Sequence, residues 1–418
     1  MTRTETSPAD VLRDNDRGGY CVPTRGLYPF QWLWDSGFTA LGWQRIDEAR
    51  AWQELHSLTL GQWPDGMIPH IIFHRDDPGY FPGPDAWGTS HIPPTSGITD
   101  PPVLATVARY LLENARQPEL ALENLRRLYP SLLAFHRWLH TYRDPERQGL
   151  LSIVHPWETG EDNSPAWDRA LANVAVPPDL PPFTRRDTGH VDASQRPRQV
   201  EYERYMALVH AFRRVNYDPA AVVATSPFRV TSPGFNSIML RADRDLLALA
   251  STLGEPTAEI GGWIELGQMG LERLWHEKAG AYLALDQLSG EPSQVVTSSS
   301  FLPLYSGTLP AGRAERLADT LRQWGEQVRY LVPSTDPASP AFESQRYWRG
   351  PVWSVVNWMI ERGLREHGFT DLADRVREDT RALVRHAGYA EYFDPVSGAG
   401  CGGQHFTWTA AIDLVWGE

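Results

Sequence analysis

The sequence alternates between helical segments and long loops, and this rhythm restricts the fold more than any other feature. Alternating strand patterns are scarce, and no βαβ rhythm is present. Apolar residues that recur at steps of three and four lie on one helix face, and one segment shows this clearly: Trp353, Val356, Met359, Ile360 and Leu364. The pattern predicts helices over 38–60, 103–114, 121–142, 203–215, 236–253, 256–275, 311–324, 352–366 and 372–386. We therefore expect an all-α fold of helical hairpins, packed in a ring or a layered bundle.

Two residues refine the helix boundaries. Pro130 predicts a break in the third helix, because the residue before a proline is disfavoured in the helical region. Asn236 is a suitable N-cap for the fifth. Residues 1–16 are predicted to be a mobile leader, and residues 17–418 a single domain, because no Ser/Gly linker or run of charge divides the chain.

The segments between the helices carry most of the chemistry. Loops as long as 16–37, 61–102, 143–202 and 387–406 are usually functional or disordered. These are rich in Trp, Tyr, Phe and Gly, whereas disordered segments are poor in aromatic residues. We expect them to form the ordered mouth of a cleft.

Composition excludes several classes of function. The net charge of −13 argues against nucleic acid or an anionic membrane as a partner. No apolar run approaches the length of a membrane span, and the N-terminus lacks the apolar region of a signal peptide. Lys278 is the only lysine, so a P-loop or a Schiff-base lysine is not expected. Two cysteines form no disulfide framework, which fits a cytoplasmic protein. We predict no cofactor and no metal, since the pair His70 and His74 is a weak metal motif, and homo-oligomerisation stays open.

The stretch HPWETGEDNSPAWD, residues 155–168, combines four carboxylates with two tryptophans. An unpaired buried carboxylate is costly, so a core segment would not carry these acids. A solvated loop would seldom carry the tryptophans. Burial against an aromatic wall raises the pKa of a carboxyl group, which suits a proton donor.

Other loops offer aromatic platforms and further polar groups. Aromatic faces stack on sugar rings, and carboxylates bind pairs of sugar hydroxyls. The alternatives are that Asp35 is only a helix N-cap and that Asp100 belongs only to a helix start. The inventory fits a carbohydrate enzyme, in which two carboxylates suffice for hydrolysis; a sugar epimerase and a non-catalytic saccharide binder are the alternatives from other classes. The predicted substrate-binding residues are Tyr28, Trp32, Trp34, Asp35, Tyr80, Asp100, Arg196, Tyr202, Tyr347, Trp348, Trp353 and Gln404.

The segment ETGEDNSPAWD resembles a landmark of trehalases and of glycoside hydrolase family 63. FQWLWDSGF, YWRGPVW and the EYFDP segment with its following F-x-W-T-A-A also resemble landmarks of that clan, in the same order, over about residues 28–414. The resemblance implies an (α/α)6 barrel and an inverting α-glycosidase, with Asp162 as general acid and Glu391 as general base. Glu161 departs from the family, which often has Trp there, and we expect its side chain to point away from the cleft or to bind a cation or a sugar hydroxyl.

The short chain is similar to the compact bacterial subgroup of mannosylglycerate and glucosylglycerate hydrolases. There an Arg-Pro segment followed by Tyr binds the glycerate carboxylate, and Arg196, Pro197 and Tyr202 have that spacing. The resemblance implies a saccharide substrate with an anionic aglycone. Tyr80 is a further candidate for the glycerate end. A neutral α-glucosidase or a trehalase, in which Arg196 only supports a loop, is the alternative within the clan.

Overall fold

A computed structural model describes residues 6–417, and helices dominate it. The strands are two residues long and pair locally in antiparallel ladders: β1 (Gln31–Trp32), β2 (Ile71–Ile72), β3 (Val230–Thr231), β4 (Trp275–His276), β5 (Ala281–Tyr282), β6 (Leu285–Asp286), β7 (Glu291–Pro292), β8 (Tyr392–Phe393) and β9 (Gly400–Cys401). The α-helices are α1 (Pro8–Asn15), α2 (Leu33–Ile46), α3 (Glu48–Thr59), α4 (Pro84–Trp87), α5 (Leu104–Glu113), α6 (Pro118–Trp138), α7 (Asp168–Ala172), α8 (Gln199–Arg214), α9 (Pro219–Thr225), α10 (Pro233–Leu253), α11 (Ala258–Glu272), α12 (Pro303–Ser306), α13 (Ala311–Trp324), α14 (Ser354–Glu366), α15 (Thr370–Ala387) and α16 (Thr407–Trp416).

Within residues 6–417, six helices form a closed inner ring. Around the ring, α2 packs on α5, α5 on α10, α10 on α12, α12 on α14, α14 on α16 and α16 on α2. Their side chains face neighbours on several sides, so α2 is buried along nearly its whole length. A helix that is apolar around much of its surface belongs in the interior of a protein. The fold is the predicted (α/α)6 barrel.

An outer layer covers the ring. α3 packs on α2, α6 on α5, α11 on α10 and α15 on α14, each directly after its inner partner or one short turn later in the chain. α13 follows α12 and buries Trp324 edge-on against Phe301. These outer helices are amphipathic, with buried residues on one face only.

The N-terminal segment completes the outer layer. α1 packs on both α16 and α2, and its Val11 and Leu12 are fully buried. Its N-terminus carries a capping box in which Ser7 and Asp10 exchange hydrogen bonds. The predicted mobile leader is therefore wrong for residues 8–15, while residues 1–5 lie outside the described part. A single domain over 17–418 stays a prediction.

Three predicted helix boundaries are wrong. The helix predicted over 38–60 is divided at Asp47, which caps α3 by accepting a hydrogen bond from the Arg50 amide. Pro130 lies inside α6, which the tertiary packing of buried Leu128 and Leu132 holds together. The N-cap of α10 is Ser232. None of the helices in residues 6–417 has the length and apolarity that a membrane crossing requires.

Candidate active site

A pocket opens where the N-terminal ends of α2 and α16 meet the long loops. Eleven of the predicted catalytic and binding residues line it: Tyr28, Trp32, Trp34, Asp35, Tyr80, Asp100, Asp162, Arg196, Tyr202, Tyr347 and Glu391. They come from segments far apart in sequence, which the closed ring brings together. Aromatic rings make up much of the wall, and four carboxylates and one guanidinium face the interior.

A tight turn positions Asp162. A 3-10 helix over Pro156–Thr159 ends at Gly160, whose φ of 71° is a left-handed conformation that favours glycine. A Cβ at this position would lie 2.5 Å from the Trp34 ring, so only glycine fits. The main-chain carbonyl of Asp162 accepts hydrogen bonds from the Tyr205 hydroxyl at 2.9 Å and from the Trp167 indole at 3.1 Å. The turn therefore holds the acid against the aromatic wall.

The surroundings of Asp162 favour its protonated form. Burial raises the pKa of this carboxyl from 3.8 to about 7, and the nearby charge of Glu391 acts in the same direction. The cation of Arg196 opposes the increase. Asp162 can thus hold a proton near neutral pH, as a general acid must.

The neighbouring acids of the same stretch have other surroundings. Glu161 is buried away from the pocket, where its carboxylate accepts a hydrogen bond from the Ser298 hydroxyl at 3.3 Å. Burial raises the pKa of Glu161 to about 7. Glu158 pairs with Arg143 and accepts a hydrogen bond from the Val154 amide at 2.9 Å, so it stabilises the turn.

Glu391 lies in a set of hydrogen-bond donors. Its Oε2 accepts from the Gly403 amide at 2.8 Å, and its Oε1 accepts from the Tyr28 hydroxyl at 3.0 Å. The Nη1 atom of Arg196 is 3.6 Å from Oε1. Burial raises the pKa of Glu391, while Arg196 and these donors oppose the increase. The donors favour the ionised form, which suits a general base.

Arg196 is a buried cation, only 5% exposed. Its Nε donates to Asp187 Oδ2 at 3.1 Å, and its guanidinium lies 4.2 Å from the centre of the Tyr347 ring. Arg185 pairs with the same carboxylate. The Nη1 of Arg196 is buried and makes no hydrogen bond to any residue in 6–417. A charged donor without an acceptor is costly in a protein interior, and an anionic group entering the pocket would supply one.

Asp35 and Asp100 form a second acidic pair at the end of α2. Asp35 lies in the first turn of the helix, which begins at Leu33, so it is not the N-cap. Asp100 accepts a hydrogen bond from the Trp34 amide at 3.1 Å and thus caps α2 from the neighbouring loop. Burial raises the pKa of both carboxyls well above the usual value.

The remaining tyrosines close the walls of the pocket. Tyr80 packs edge-on against Trp32, and the Tyr202 hydroxyl donates to the Phe81 carbonyl at 3.1 Å. Tyr347 has a φ of 44°, a conformation that non-glycine residues rarely adopt. Two contacts tie its segment to the turn of the acid: the Trp348 amide donates to Asn163, and Arg349 pairs with Asp168.

Three predicted binding residues lie elsewhere. Trp348 and Trp353 stack on each other, with ring centres 3.8 Å apart, in the layer behind Trp34 and Tyr347. They support the wall instead of lining it. The Gln404 side chain is exposed beside His405 at a separate surface depression, because the Gly-rich turn directs it outwards.

Seven lining residues were not among the predicted site residues, although Trp157 and Pro197 belong to motifs that the sequence analysis used: Pro23, His70, Trp157, Gly160, Pro197, Phe406 and Trp408. Trp157 lies in the acid-rich stretch itself, so its position next to the acids was a usable signal. His70 is a neutral wall residue, since burial lowers its pKa to about 3. His74 pairs with the Gln31 amide oxygen at 2.7 Å. The described residues contain no group of three or more His, Cys, Asp or Glu side chains arranged to hold a metal ion.

The pocket can carry out acid–base chemistry on a small polar ring. One carboxyl is poised to give a proton, and a second is held as an acceptor beside a cation. A family model described as the mannosylglycerate hydrolase MGH1-like glycoside hydrolase domain matches residues 28–409. The chain belongs to this family. It is a glycoside hydrolase, which excludes the sugar epimerase and the saccharide binder that the sequence left open.

Relatives in this glycoside hydrolase family match nearly the whole chain. A mannosylglycerate hydrolase from Thermus thermophilus is 54% identical over 97% of this chain and 99% of its own length. A glucosylglycerate hydrolase from Mycolicibacterium hassiacum is 35% identical over 99% of this chain and 98% of its own. A crystal structure of a family 63 mannosylglycerate hydrolase, also from Thermus thermophilus and in complex with Tris and D-glycerate, has 54% identity and a TM-score of 0.97. That match covers 99% of this chain and 100% of the other.

Proposed function

We propose that this glycoside hydrolase cleaves 2-O-α-mannosylglycerate into mannose and glycerate, with inversion at the anomeric carbon. The observation that carries the proposal is the buried Arg196, whose Nη1 lacks a hydrogen-bond partner in residues 6–417 and which lines the same pocket as Asp162 and Glu391. Asp187 accepts from its Nε, and Glu391 lies 3.6 Å from its Nη1, beyond the distance of a hydrogen bond. The glycerate carboxylate would neutralise this cation with a charge-assisted hydrogen bond. The names of the most similar relatives support the same substrate.

Asp162 and Glu391 divide the chemistry. In the proposed reaction, Asp162 gives its proton to the glycosidic oxygen while the bond from that oxygen to the anomeric carbon breaks. Glu391 takes a proton from a water molecule that attacks the opposite face of the sugar. This division requires about 6.5–9.5 Å between the two carboxyl groups, which leaves room for the water. It also requires Asp162 protonated and Glu391 ionised: burial favours the proton on Asp162, while Arg196 and the donors around Glu391 counteract the effect of burial on the pKa of the base.

The pocket offers separate surfaces to the two halves of the substrate. We assign the sugar to Trp32, Trp34 and Asp35, where aromatic faces and a carboxylate lie together. Asp100 supports this end through the α2 terminus. The glycerate is assigned to Arg196, with Tyr80 and Tyr202 as the adjoining wall.

Glucosylglycerate is the second candidate, because one relative is named for it. It differs from mannosylglycerate in the configuration at one hydroxyl, and the greater identity to the mannosylglycerate hydrolase favours mannose. A neutral α-glucosidase or trehalase substrate would bring no anionic acceptor to the Nη1 of Arg196, which has an ion-pair partner in Glu391 and no hydrogen bond within residues 6–417. We also place the enzyme in the cytoplasm, since Cys21 and Cys401 are both free thiols.

A substrate panel tests the proposal. The purified protein is incubated separately with mannosylglycerate, glucosylglycerate, trehalose and maltose, and the free sugar is measured over time. The Asp162→Asn variant serves as the matched blank for each substrate. We expect the highest kcat/KM on mannosylglycerate. Equal or higher activity on trehalose or maltose would contradict the assignment of glycerate.

A further inference from the structure

Two phenols connect the proposed base to the proposed acid. The Tyr28 hydroxyl donates to Glu391 Oε1 at 3.0 Å, and its oxygen lies 3.3 Å from the Tyr347 hydroxyl. The Tyr347 side chain also lies beside the Asp162 carboxyl, where it opposes the increase in the pKa of that group. All four side chains line the pocket. They form a row of neighbouring oxygen-bearing groups that runs from one carboxyl to the other along the wall.

We propose that Tyr28 and Tyr347 form a proton relay, which returns the proton from Glu391 to Asp162 after each hydrolysis. This inference rests on the proposed function. An inverting reaction takes a proton from the acid and places one on the base, so each turnover ends with Asp162 ionised and Glu391 protonated. The next turnover needs the opposite arrangement.

The path can carry out this reset without a co-reactant. Glu391 gives its proton to the Tyr28 oxygen while Tyr28 passes its own proton to the Tyr347 oxygen. Tyr347 then passes its proton to the Asp162 carboxylate. Three O–H bonds break and three form, both phenols end neutral, and the charge that leaves Asp162 appears on Glu391. The hydrogen bond from Tyr28 to Glu391 in the structure has the direction expected after the reset.

The surroundings of the two phenols assist such a transfer. The Arg196 guanidinium lies 4.2 Å from the Tyr347 ring centre and 5.7 Å from that of Tyr28. Burial raises the pKa of both phenols, and the Arg196 cation opposes that increase. The cation thus stabilises negative charge that passes through either oxygen. When glycerate leaves, the cation is no longer neutralised by it, so the relay works best at the point where the reset is needed.

The backbone at Tyr347 points to a functional constraint as well. Its positive φ is held by the contacts of Trp348 and Arg349 to the Asp162 turn. Unusual backbone conformations persist where the surroundings over-determine them and often occur at active sites. Here the conformation brings the Tyr347 hydroxyl between Tyr28 and Asp162.

The test separates the first turnover from those that follow. Tyr28→Phe and Tyr347→Phe are mixed with excess mannosylglycerate in a rapid-quench apparatus, and mannose is counted per active site. We expect each variant to release about one mannose per site in a burst, followed by a steady rate at least about tenfold below its own first-turnover rate. Tyr282→Phe is the matched control, because this buried tyrosine donates to Glu272 at 2.8 Å and lies outside the pocket lining. It should show no burst.

Two further measurements distinguish a relay from a positioning role. Imidazole in the buffer should raise the steady rate of both Phe variants and leave the wild type unchanged, because a small base can carry the proton instead. On α-mannosyl fluoride the later turnovers of the variants should show no extra loss relative to their first, since fluoride departs without the proton of Asp162. Asp162 then stays protonated and cannot accept a proton from the relay, so the proton that Glu391 takes from water leaves to solvent in the wild type and the variants alike. Equal loss in the first and later turnovers, or no loss in either, would overturn the relay. A wild-type enzyme that fails to cleave mannosylglycerate would instead overturn the proposed function.

Discussion

Replacing Arg196 tests substrate specificity, because this cation has two roles in our account: it binds the glycerate carboxylate, and its charge lowers the pKa of Glu391. Loss of a charge-assisted hydrogen bond to glycerate costs about 1.5–3 kcal/mol, which lowers kcat/KM about ten- to two-hundred-fold. The guanidinium also lies 3.6 Å from Glu391. An interaction at that distance amounts to about 4–5 kcal/mol at an effective dielectric constant near 20. Its removal therefore raises the pKa of Glu391, so less of this residue is ionised and able to act as the base on any substrate.

The two roles separate on a neutral substrate. Arg196→Ala should lose activity on both mannosylglycerate and the mannosyl glycerol analogue, with an additional loss of about ten- to two-hundred-fold on the charged substrate. Arg196→Lys should recover the general part better than the specific part, because lysine keeps the charge and lacks the planar fork.

The matched control is Arg185→Ala, which removes the other partner of Asp187 and leaves the pocket cation in place. It should affect both substrates equally. The measurement is kcat/KM of all three variants on the charged and the neutral substrate. An equal loss for Arg196→Ala on both substrates would refute glycerate binding by this residue.

The remaining predictions concern the acid and its turn. Gly160→Ala should lower the free energy of unfolding by about 2–4 kcal/mol, because a left-handed alanine and a clash with Trp34 add together; Gly254→Ala, with a φ of 75° and open space around it, should lose only about 1 kcal/mol in the same denaturant titration. Glu161→Gln should change kcat less than about threefold, whereas Asp162→Asn and Glu391→Gln should each lower it about 10²–10⁴-fold. The pKa of Glu161 is about 7 in the folded state and 4.5 in the unfolded state, so the folded protein loses free energy of unfolding as the pH rises from 4.5 to 7. Glu161→Gln does not ionise and should therefore have a higher Tm than the wild type at pH 8 but not at pH 4. The pKa of Asp162 predicts that kcat/KM falls as the pH rises through about 7, and a profile flat to pH 9 would argue against it as the acid.

Much of the site could be predicted because its chemistry is concentrated in short stretches. Acids beside tryptophans in residues 155–168 indicated a buried proton donor, and the order of the motifs indicated the barrel. Which acid faces the pocket did not follow from that pattern. Glu161 and Asp162 are adjacent, and the serines that accommodate Glu161 come from residues 298–299, far along the chain.

Other features needed the tertiary structure. The stacking of Trp348 on Trp353 behind the wall depends on the turn between them, and the outward direction of Gln404 depends on the Gly-rich turn before it, which has a positive φ at Gly402. The first helix is different, because its capping box, Ser7 to Asp10, is visible in the sequence. The sequence therefore indicated where a helix could begin. That the short apolar face of α1 is buried could be recognised only from its packing on α16 and α2.

A proton NMR time course of mannosylglycerate hydrolysis tests the central claim most directly. The sugar released first reports the stereochemistry, since an acid and a base on opposite faces give inversion. We predict that β-mannose appears first and then equilibrates with the α-anomer, and that Asp162→Asn releases neither at a comparable rate. Initial release of α-mannose, or no cleavage of mannosylglycerate by the wild type, would contradict the account.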